Sequence, residues 1–329
     1  MSSAAVPDVV TRRASPTDFP DVLPLLRRAL GWTDADTRYL EWKHTANPFG
    51  VSPMWIAVAG TRVVGFRAFL RWEFCGPDGR VHVAARAVDT ATDPDYQGRG
   101  IFTRLTLGAL DELRAEGCEF VFNTPNRQSL PGYSKMGWEQ IGRLHAAVRL
   151  CRGRSVAVLP TARHPAGRGF VAGGPGDDAP AALTDRDAVA RLLRAQPAPR
   201  GLSTRRTPDY LAWRYGHPDL GYRALLHGTS PAGGMVLFRL RRRGRAVEAT
   251  VGDVLVPHGD PGVATALVGD LARSRVADYL IRLQGSRVTR DRFVRLPLVG
   301  PVLVGRSLTG APLPDRSGWA SSMGDVELL

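Results

Sequence analysis

The sequence predicts an α/β protein built from two tandem copies of one unit, the second copy degenerate in its functional parts. Three observations carry that prediction. At about 150 residues per domain, a chain of 329 residues has room for two. Residues 152–182, rich in Gly, Pro, Ala and Arg, lack sustained periodicity, although 155–159 allows a short strand. They read as a linker between domains at 1–151 and 183–329. The word Tyr39-Leu40-Glu41-Trp42-Lys43 returns as Tyr210-Leu211-Ala212-Trp213-Arg214. Each copy is followed by a proline, Pro48 or Pro218, and then by two apolar segments that read as a hairpin, 55–69 or 222–240. The same word at the same place in the running order points to duplication.

The elements of the first copy follow from periodicity. Residues 9–14 read as a strand and 17–30 as an amphipathic helix with Phe19, Val22, Leu23, Leu25 and Leu26 toward the core. Strands at 55–59 and 63–69 flank the turn Gly60-Thr61-Arg62. A longer strand over 81–92 stops at Asp93-Pro94-Asp95. Ile101, Leu105, Ala109 and Leu113 form an i, i+4 stripe that predicts one helix over 100–116, closed by Gly117. Strands at 119–123 and 144–150 complete the unit. In the second copy, 251–257 takes the place of 88–94, and 263–274 reads as the following helix. Trp42 and Trp213 suit either their own domain's core or the junction between domains.

Composition sets the outer bounds. With 43% hydrophobic and 23% charged residues, the chain is neither disordered nor collagen-like. No run of about 18 apolar residues offers a transmembrane helix, and residues 1–8 lack the pattern of a secretory signal. Cys75, Cys118 and Cys151 are scattered and fit no metal-ligand spacing, so they read as reduced thiols of a cytoplasmic protein without a metal. The net charge of +13 is almost all arginine, since Lys43 and Lys135 are the only lysines, a bias that a GC-rich genome explains. A basic surface favours anionic partners such as coenzyme phosphates or acidic carrier proteins. No aromatic-interleaved basic stripe accompanies the charge, so nucleic acid is not an expected partner.

Two words carry chemistry. Residues 88–103 read as a strand, a glycine turn and a helix N-terminus, which together make an anion site from backbone N–H groups. Gly98 and Gly100 let the backbone approach a phosphate without a Cβ in the way. The second word is Asn126-Arg-Gln-Ser-Leu-Pro-Gly-Tyr-Ser-Lys-Met-Gly-Trp138. Together they resemble the GCN5-related N-acetyltransferase (GNAT) superfamily over roughly 9–150. Gln97-Gly98-Arg99-Gly100-Ile101-Phe102 matches its Arg/Gln-x-x-Gly-x-Gly/Ala motif except at the last position, where Phe102 stands for Gly or Ala. Tyr133 and Gly137-Trp138 match its Tyr-x-x-x-Gly-Phe signature. The layout is similar to tandem members of the enhanced-intracellular-survival and mycothiol synthase types.

That resemblance implies a mixed, mostly antiparallel twisted sheet flanked by helices in each copy. It implies an acyl-CoA-dependent N-acyltransferase, with acetyl-CoA as co-substrate and an amine of a small molecule or peptide as acceptor. Residues Gln97, Gly98, Arg99, Gly100, Ile101, Phe102 and Thr103 would hold the coenzyme pyrophosphate. Ala91 and Thr92 would pair with the pantetheine amides, Asn126 would bond the pantetheine arm, and Tyr133 would protonate the leaving thiolate. A longer acyl chain, delivered on CoA or an acyl carrier protein, is the alternative within this chemistry. A non-catalytic CoA-binding or scaffold module is the alternative outside it. For the general base the candidates are Asp89 first, then His82, Arg86, His145 and Glu41. The survival-type relatives add the terminal carboxylate, here that of Leu329. The second copy has no such motif, and Pro261 removes a donor from its turn.

Overall fold

The computed structural model describes residues 8–32, 35–153, 162, 170–284 and 292–327. The candidate strand at 155–159 and the carboxylate of Leu329 lie outside these described residues. The chain forms two compact units. The first comprises Met1–Phe74, His82–Gly142 and Val302–Pro314; the second comprises Cys75–Val81, Arg143–Pro301 and Asp315–Leu329.

In the first unit, β1 (Val9–Arg13), α1 (Phe19–Leu30) and α2 (Thr37–His44) precede the hairpin β2 (Met54–Ala59) and β3 (Arg62–Cys75). Then come β4 (Val81–Thr92), α3 (Ile101–Gly108), α4 (Leu110–Ala115), β5 (Phe120–Asn123), α5 (Leu130–Lys135) and β6 (Glu139–Arg143). The second unit runs through β7 (Ala146–Leu150), β8 (Asp177–Asp178), α6 (Ala179–Ala182), α7 (Arg186–Arg194), β9 (Ser203–Thr204) and α8 (Pro208–Gly216). It continues with β10 (Tyr222–Leu226), β11 (Met235–Arg243), β12 (Ala246–Leu255), α9 (Pro261–Arg273), β13 (Tyr279–Leu283) and β14 (Val294–Leu296). The chain then returns to the first unit as β15 (Val302–Ser307) and ends in the second as α10 (Met323–Val326).

Both sheets are mixed. The first has the order β1-β2-β3-β4-β5-β15-β6, antiparallel from β1 to β3 and parallel between β4 and β5. The second has the order β14-β7-β13-β12-β11-β10-β8, with β12 and β13 parallel and its other pairs antiparallel. In each unit the parallel pair is joined by helix, α3–α4 or α9, which is the crossover that parallel strands require.

Alternation along β2 and β3 supplies a core on each face of the first sheet. Ile56, Phe66 and Ala68 pack with the expected apolar side of α1, from Phe19 to Leu26. Trp55, Val64 and Phe69 pack with Ile101, Leu105 and Leu113 of α3 and α4. Gly65 sets how close α3 can lie: a Cβ there would come within 2.6 Å of the Ile101 side chain. The repeated word lies on α2 and α8. Each helix is capped by the residue three before its tyrosine, Asp36 accepting from the Tyr39 amide at 2.9 Å and Thr207 from the Tyr210 amide at 3.0 Å. Trp42 packs at a tilt against Tyr39, and Trp213 against Tyr210.

Three expectations change. The helix expected over 100–116 is interrupted at Ala109, next to Gly108, the weakest helix former in the segment. The strand expected at 144–150 is present as β7 but pairs with β13 of the second sheet. Its expected place in the first sheet is taken by β15, whose Val304–Ser307 lie antiparallel to Asn123–Phe120. The compact units therefore divide after Gly142 and exchange a C-terminal strand, rather than meeting at a linker after residue 151. Strand β6, with the polar sequence Glu-Gln-Ile-Gly-Arg, has no alternation to reveal it.

A fragment ending at residue 151 lacks β15 and leaves the edges of β5 and β6 unpaired. We expect it to be unfolded or aggregated by circular dichroism and sedimentation. A fragment joining residues 8–143 to 301–314 through a short flexible linker should fold cooperatively.

Candidate active site

Strand β4 carries the site. Its ladder with β5 runs from Ala84 against Phe120 to Arg86 against Phe122. β5 ends at Asn123, whereas β4 runs on to Thr92. Ala91 is buried and Thr92 half-buried on that extension, where backbone groups on the β5 side are beyond the ladder.

The turn that follows is open. Gly98 and Gly100 have φ of 75° and 71°, where a side chain costs about 1–2 kcal/mol. A Cβ at either would meet no heavy atom within 4 Å, so the space over the turn is free. Gln97, Gly98, Arg99, Gly100 and Thr103 are exposed. Gly100 caps α3, and its carbonyl accepts from the Arg104 amide at 2.9 Å. The amides of Ile101, Phe102 and Thr103 precede that bond and have no acceptor within the helix. The Ile101 side chain is in the core, so it offers the turn its N–H alone.

Phe102 does not obstruct the turn. Its ring packs edge-on to Tyr133, centroids 5.5 Å apart, and lies where a Cβ on Gly132 would come within 2.7 Å. A bulky residue is accommodated because α5 presents a glycine opposite it. Tyr133 is buried on α5 between Phe102 and Trp138, the latter 5.4 Å away. The Asn126 side chain is engaged with the local backbone. Its Oδ1 accepts from the amides of Gln128 and Ser129, at 3.0 and 2.9 Å, and from the Ser129 hydroxyl at 2.9 Å. Those bonds start α5 and so aim Tyr133.

Asp89 is held inside the fold. Its φ of 50° is a left-handed kink within β4. Lys43 Nζ lies 2.7 Å from one carboxylate oxygen and His44 Nε2 lies 2.8 Å from the other, with all three side chains at most 6% exposed. His44 Nδ1 is 3.0 Å from the Ser52 hydroxyl. Burial keeps His44 below the ordinary imidazole range, and the pattern fits a neutral ring donating to Asp89 and accepting from Ser52. Burial opposes the charge on Asp89, but Lys43 and His44 outweigh it and hold the carboxyl well below the usual range. A carboxylate with both oxygens engaged makes a poor proton acceptor and a strong tether between α2 and β4.

The other base candidates are dispersed. His82 Nδ1 is 3.1 Å from Glu119, and Arg86 donates to Thr124 at 3.0 Å. Glu41 is exposed on α2, and His145 belongs to the second unit. One residue escaped the sequence reading: Arg67, fully buried on β3, stands beside Tyr133 and Phe102. A charged residue inside the apolar run 63–70 is the signal that would have found it. Among the described residues, no cluster of three or more His, Cys, Asp or Glu is placed to hold a metal, and no helix is long and apolar enough to cross a membrane. Burial pushes the thiols of Cys118 and Cys151 up to about 12 and about 11, so both stay protonated near neutrality.

The second unit shows the same plan with the turn closed. Asp260 Oδ1 accepts from the amides of Gly262 and Val263, at 2.7 and 3.2 Å, and Pro261 has no N–H to give. The anion place at the start of α9 is thus filled by the chain's own carboxylate.

In the first unit a strand outruns its parallel neighbour and is followed by a glycine turn that opens a helix. Residues 10–141 match the family model described as an acetyltransferase (GNAT) domain. The mycothiol acetyltransferase of Saccharopolyspora erythraea is 34% identical over 128 residues, covering 36% of this chain and 39% of that protein. The chain thus matches less than half the length of that relative. Among solved structures, a GCN5-related N-acetyltransferase from Kribbella flavida aligns over 92% of this chain and 72% of its own, with a TM-score of 0.60 and 17% identity. Eis1 from Mycobacterium abscessus aligns over 92% and 74%, with a TM-score of 0.57 and 16% identity. The likeness in fold to these structures thus extends over 92% of the chain, beyond the residues that the family model matches.

Replacing Asp89 by Asn would leave Lys43 buried without a counter-charge, which costs about 3–5 kcal/mol. We expect Asp89→Asn to lower the melting temperature sharply, whatever its effect on turnover. Because the folded protein keeps His44 neutral, the unfolded chain takes up a proton first as pH falls below about 6.5. Stability should then decline by up to about 1.4 kcal/mol per pH unit for that proton. Thermal melts of wild type and His44→Gln, whose amide can copy both bonds, should diverge below that pH and run parallel above it.

Proposed function

We propose that the protein is an acyl-CoA-dependent N-acyltransferase that moves an acetyl group to the amine of a small molecule or peptide, with the first unit catalytic. The observation that carries this is the open Gln97–Thr103 turn at the end of β4, with Tyr133 packed against the Phe102 that closes its inner side. The likeness to mycothiol acetyltransferase supports acetyl as the group transferred.

The amides from Gly98 to Thr103 suit a pyrophosphate, since two glycines clear the approach and the α3 dipole favours negative charge. The backbone at Ala91 and Thr92, beyond the β5 ladder, pairs with an extended pantetheine arm in the manner of an added strand. A backbone N–H there polarises the thioester carbonyl, an effect worth about 3 kcal/mol per well-placed donor. The Tyr133 hydroxyl donates its proton to the departing sulfur. Asn126 acts by fixing the start of α5, and Asp89 by fixing the kink of β4. Both are positioning residues in this reading. With Asp89 engaged, the proton shed by the attacking amine leaves by another route.

Titration calorimetry with CoA should give one site per chain, because Asp260 occupies the corresponding place in the second unit. Gly100→Pro, which cannot adopt the positive φ of this cap, should abolish that site; two sites, or unchanged binding, would place the coenzyme elsewhere. Tyr133→Phe should lower turnover about 10²-fold with CoA affinity nearly unchanged, the usual contribution of a positioned acid.

A further inference from the structure

Arg67 is a buried cation of the first unit that its packing leaves only partly satisfied. Its side chain is fully buried on β3. Nη1 donates to the Thr90 hydroxyl on β4, while Nε and Nη2 are buried and have no hydrogen-bond partner. The guanidinium carbon lies 4.7 Å from the centre of the Phe69 ring, 5.7 Å from that of Phe102 and 5.4 Å from that of Tyr133. Among the described residues no carboxylate pairs with it. Aromatic faces offset part of the charge. They do not replace an anion, and a buried cation without one is costly. Nε and Nη2 form the edge of the guanidinium that engages anions side-on.

We propose that Arg67 is the resident cation for the negative charge that acyl transfer places at Tyr133 and the departing sulfur. The inference rests on the acyl-CoA reading above. In that reaction the amine nitrogen bonds to the thioester carbon, and the carbon–sulfur bond breaks with its electron pair left on sulfur. The Tyr133 proton passes to sulfur, and the proton shed by the amine nitrogen restores the phenol. The negative charge passes from the carbonyl oxygen of the tetrahedral intermediate to sulfur and then to the phenol of Tyr133, whose ring lies beside a guanidinium with two unused donors. Thr90 holds the fork from the β4 side, two residues before Thr92. The cation is in place before the charge appears, so no reorganisation is needed when it does. Arg67 touches the Tyr133 ring from beneath and acts through it, as a positioning and charge-balancing residue.

The test uses the full-length protein with Arg67→Met, Arg67→Gln and Arg67→Lys, each alone and in a Tyr133→Phe background. Acetyl transfer from acetyl-CoA to a panel of primary amines gives kcat and KM, and calorimetry gives CoA affinity. Arg67→Met should lose about 10²-fold in kcat, as for loss of one preorganised electrostatic partner. KM and CoA affinity should change by less than about threefold, and Arg67→Lys should recover part of the loss. In the Tyr133→Phe background the same substitution should cost less than about tenfold, because no phenolate forms and only the charge on sulfur remains for Arg67 to balance. Equal losses in both backgrounds, or a loss confined to KM or CoA affinity, would overturn the proposal. Ultraviolet difference spectra of bound CoA provide a second readout independent of turnover. Wild type should show a thiolate or phenolate band that Arg67→Gln lacks. If wild type binds CoA but acetylates nothing, the transferase reading fails, and the same spectra still decide whether Arg67 holds an anion. If Arg67→Met is unfolded by thermal melting, the Gln and Lys variants carry the comparison.

Discussion

A carboxylate buried at the kink of the central strand is the constraint on which both units depend. In the first unit it is Asp89, on the kinked residue itself, gripped by Lys43 and His44 from α2. In the second it is Asp253 on β12, which accepts from the Tyr215 hydroxyl at 2.5 Å and pairs with Arg206 at 2.7 Å. The β11–β12 register shifts at the same place, passing over Gly252 just before Asp253. Lys43 and His44 at the end of α2, and Tyr215 directly after the repeated word on α8, tie each helix to the buried carboxylate. A left-handed residue with a Cβ in a strand costs about 1–3 kcal/mol, and two charge-assisted bonds to one buried carboxylate offset that cost. The bend at Asp89 falls where β5 has ended and sets the course of the free end of β4.

From this shared frame the two copies diverge at a single turn. In the first, two glycines with positive φ present amides to open space. In the second, Asp260 supplies the negative charge from within and Pro261 removes a donor. The second arrangement is the more stable as a helix start, since a side-chain cap is worth about 1 kcal/mol over none. The first leaves its helix uncapped by any side chain. An unsatisfied helix start retained in one copy and satisfied in the other is what a binding function in one copy alone requires.

Much of this was legible in the sequence, for local reasons. The strand–turn–helix at 88–103 announces itself through β-branched alternation, turn residues and an i, i+4 stripe, all of which act within a few residues. Tyr133 and its neighbours stand out in the sequence through their motif alone, and the packing of Phe102 against Gly132 could not be read from either residue by itself. The exchange of β7 and β15 was not legible. Residues 146–150 and 302–307 are both short apolar strands, and nothing in their own sequence says which sheet edge each will meet. Asp89 misled for a related reason. An aspartate on a strand beside a turn looks available until Lys43 and His44, far away in sequence, arrive from α2.

The treatment of buried arginine sharpens the contrast between the units. In the second unit Arg206 pairs with Asp253 and Asp325, Arg239 with Glu327, and Arg214 donates to the carbonyls of Gly324 and Glu327 and to Tyr222. Each of these cations sits among oxygens that α10 and the residue after it help to provide. In the first unit Arg67 is equally buried, yet its neighbours are three aromatic rings and one hydroxyl. Hydrophobic collapse alone would favour an apolar residue there, because Phe69, Phe102 and Tyr133 would pack against a methionine at no electrostatic cost. Among the described residues, Arg206, Arg214 and Arg239 of the second unit meet oxygens, whereas Arg67 stands beside the Tyr133 ring with two donors unused, which is the contrast the proposal for Arg67 explains.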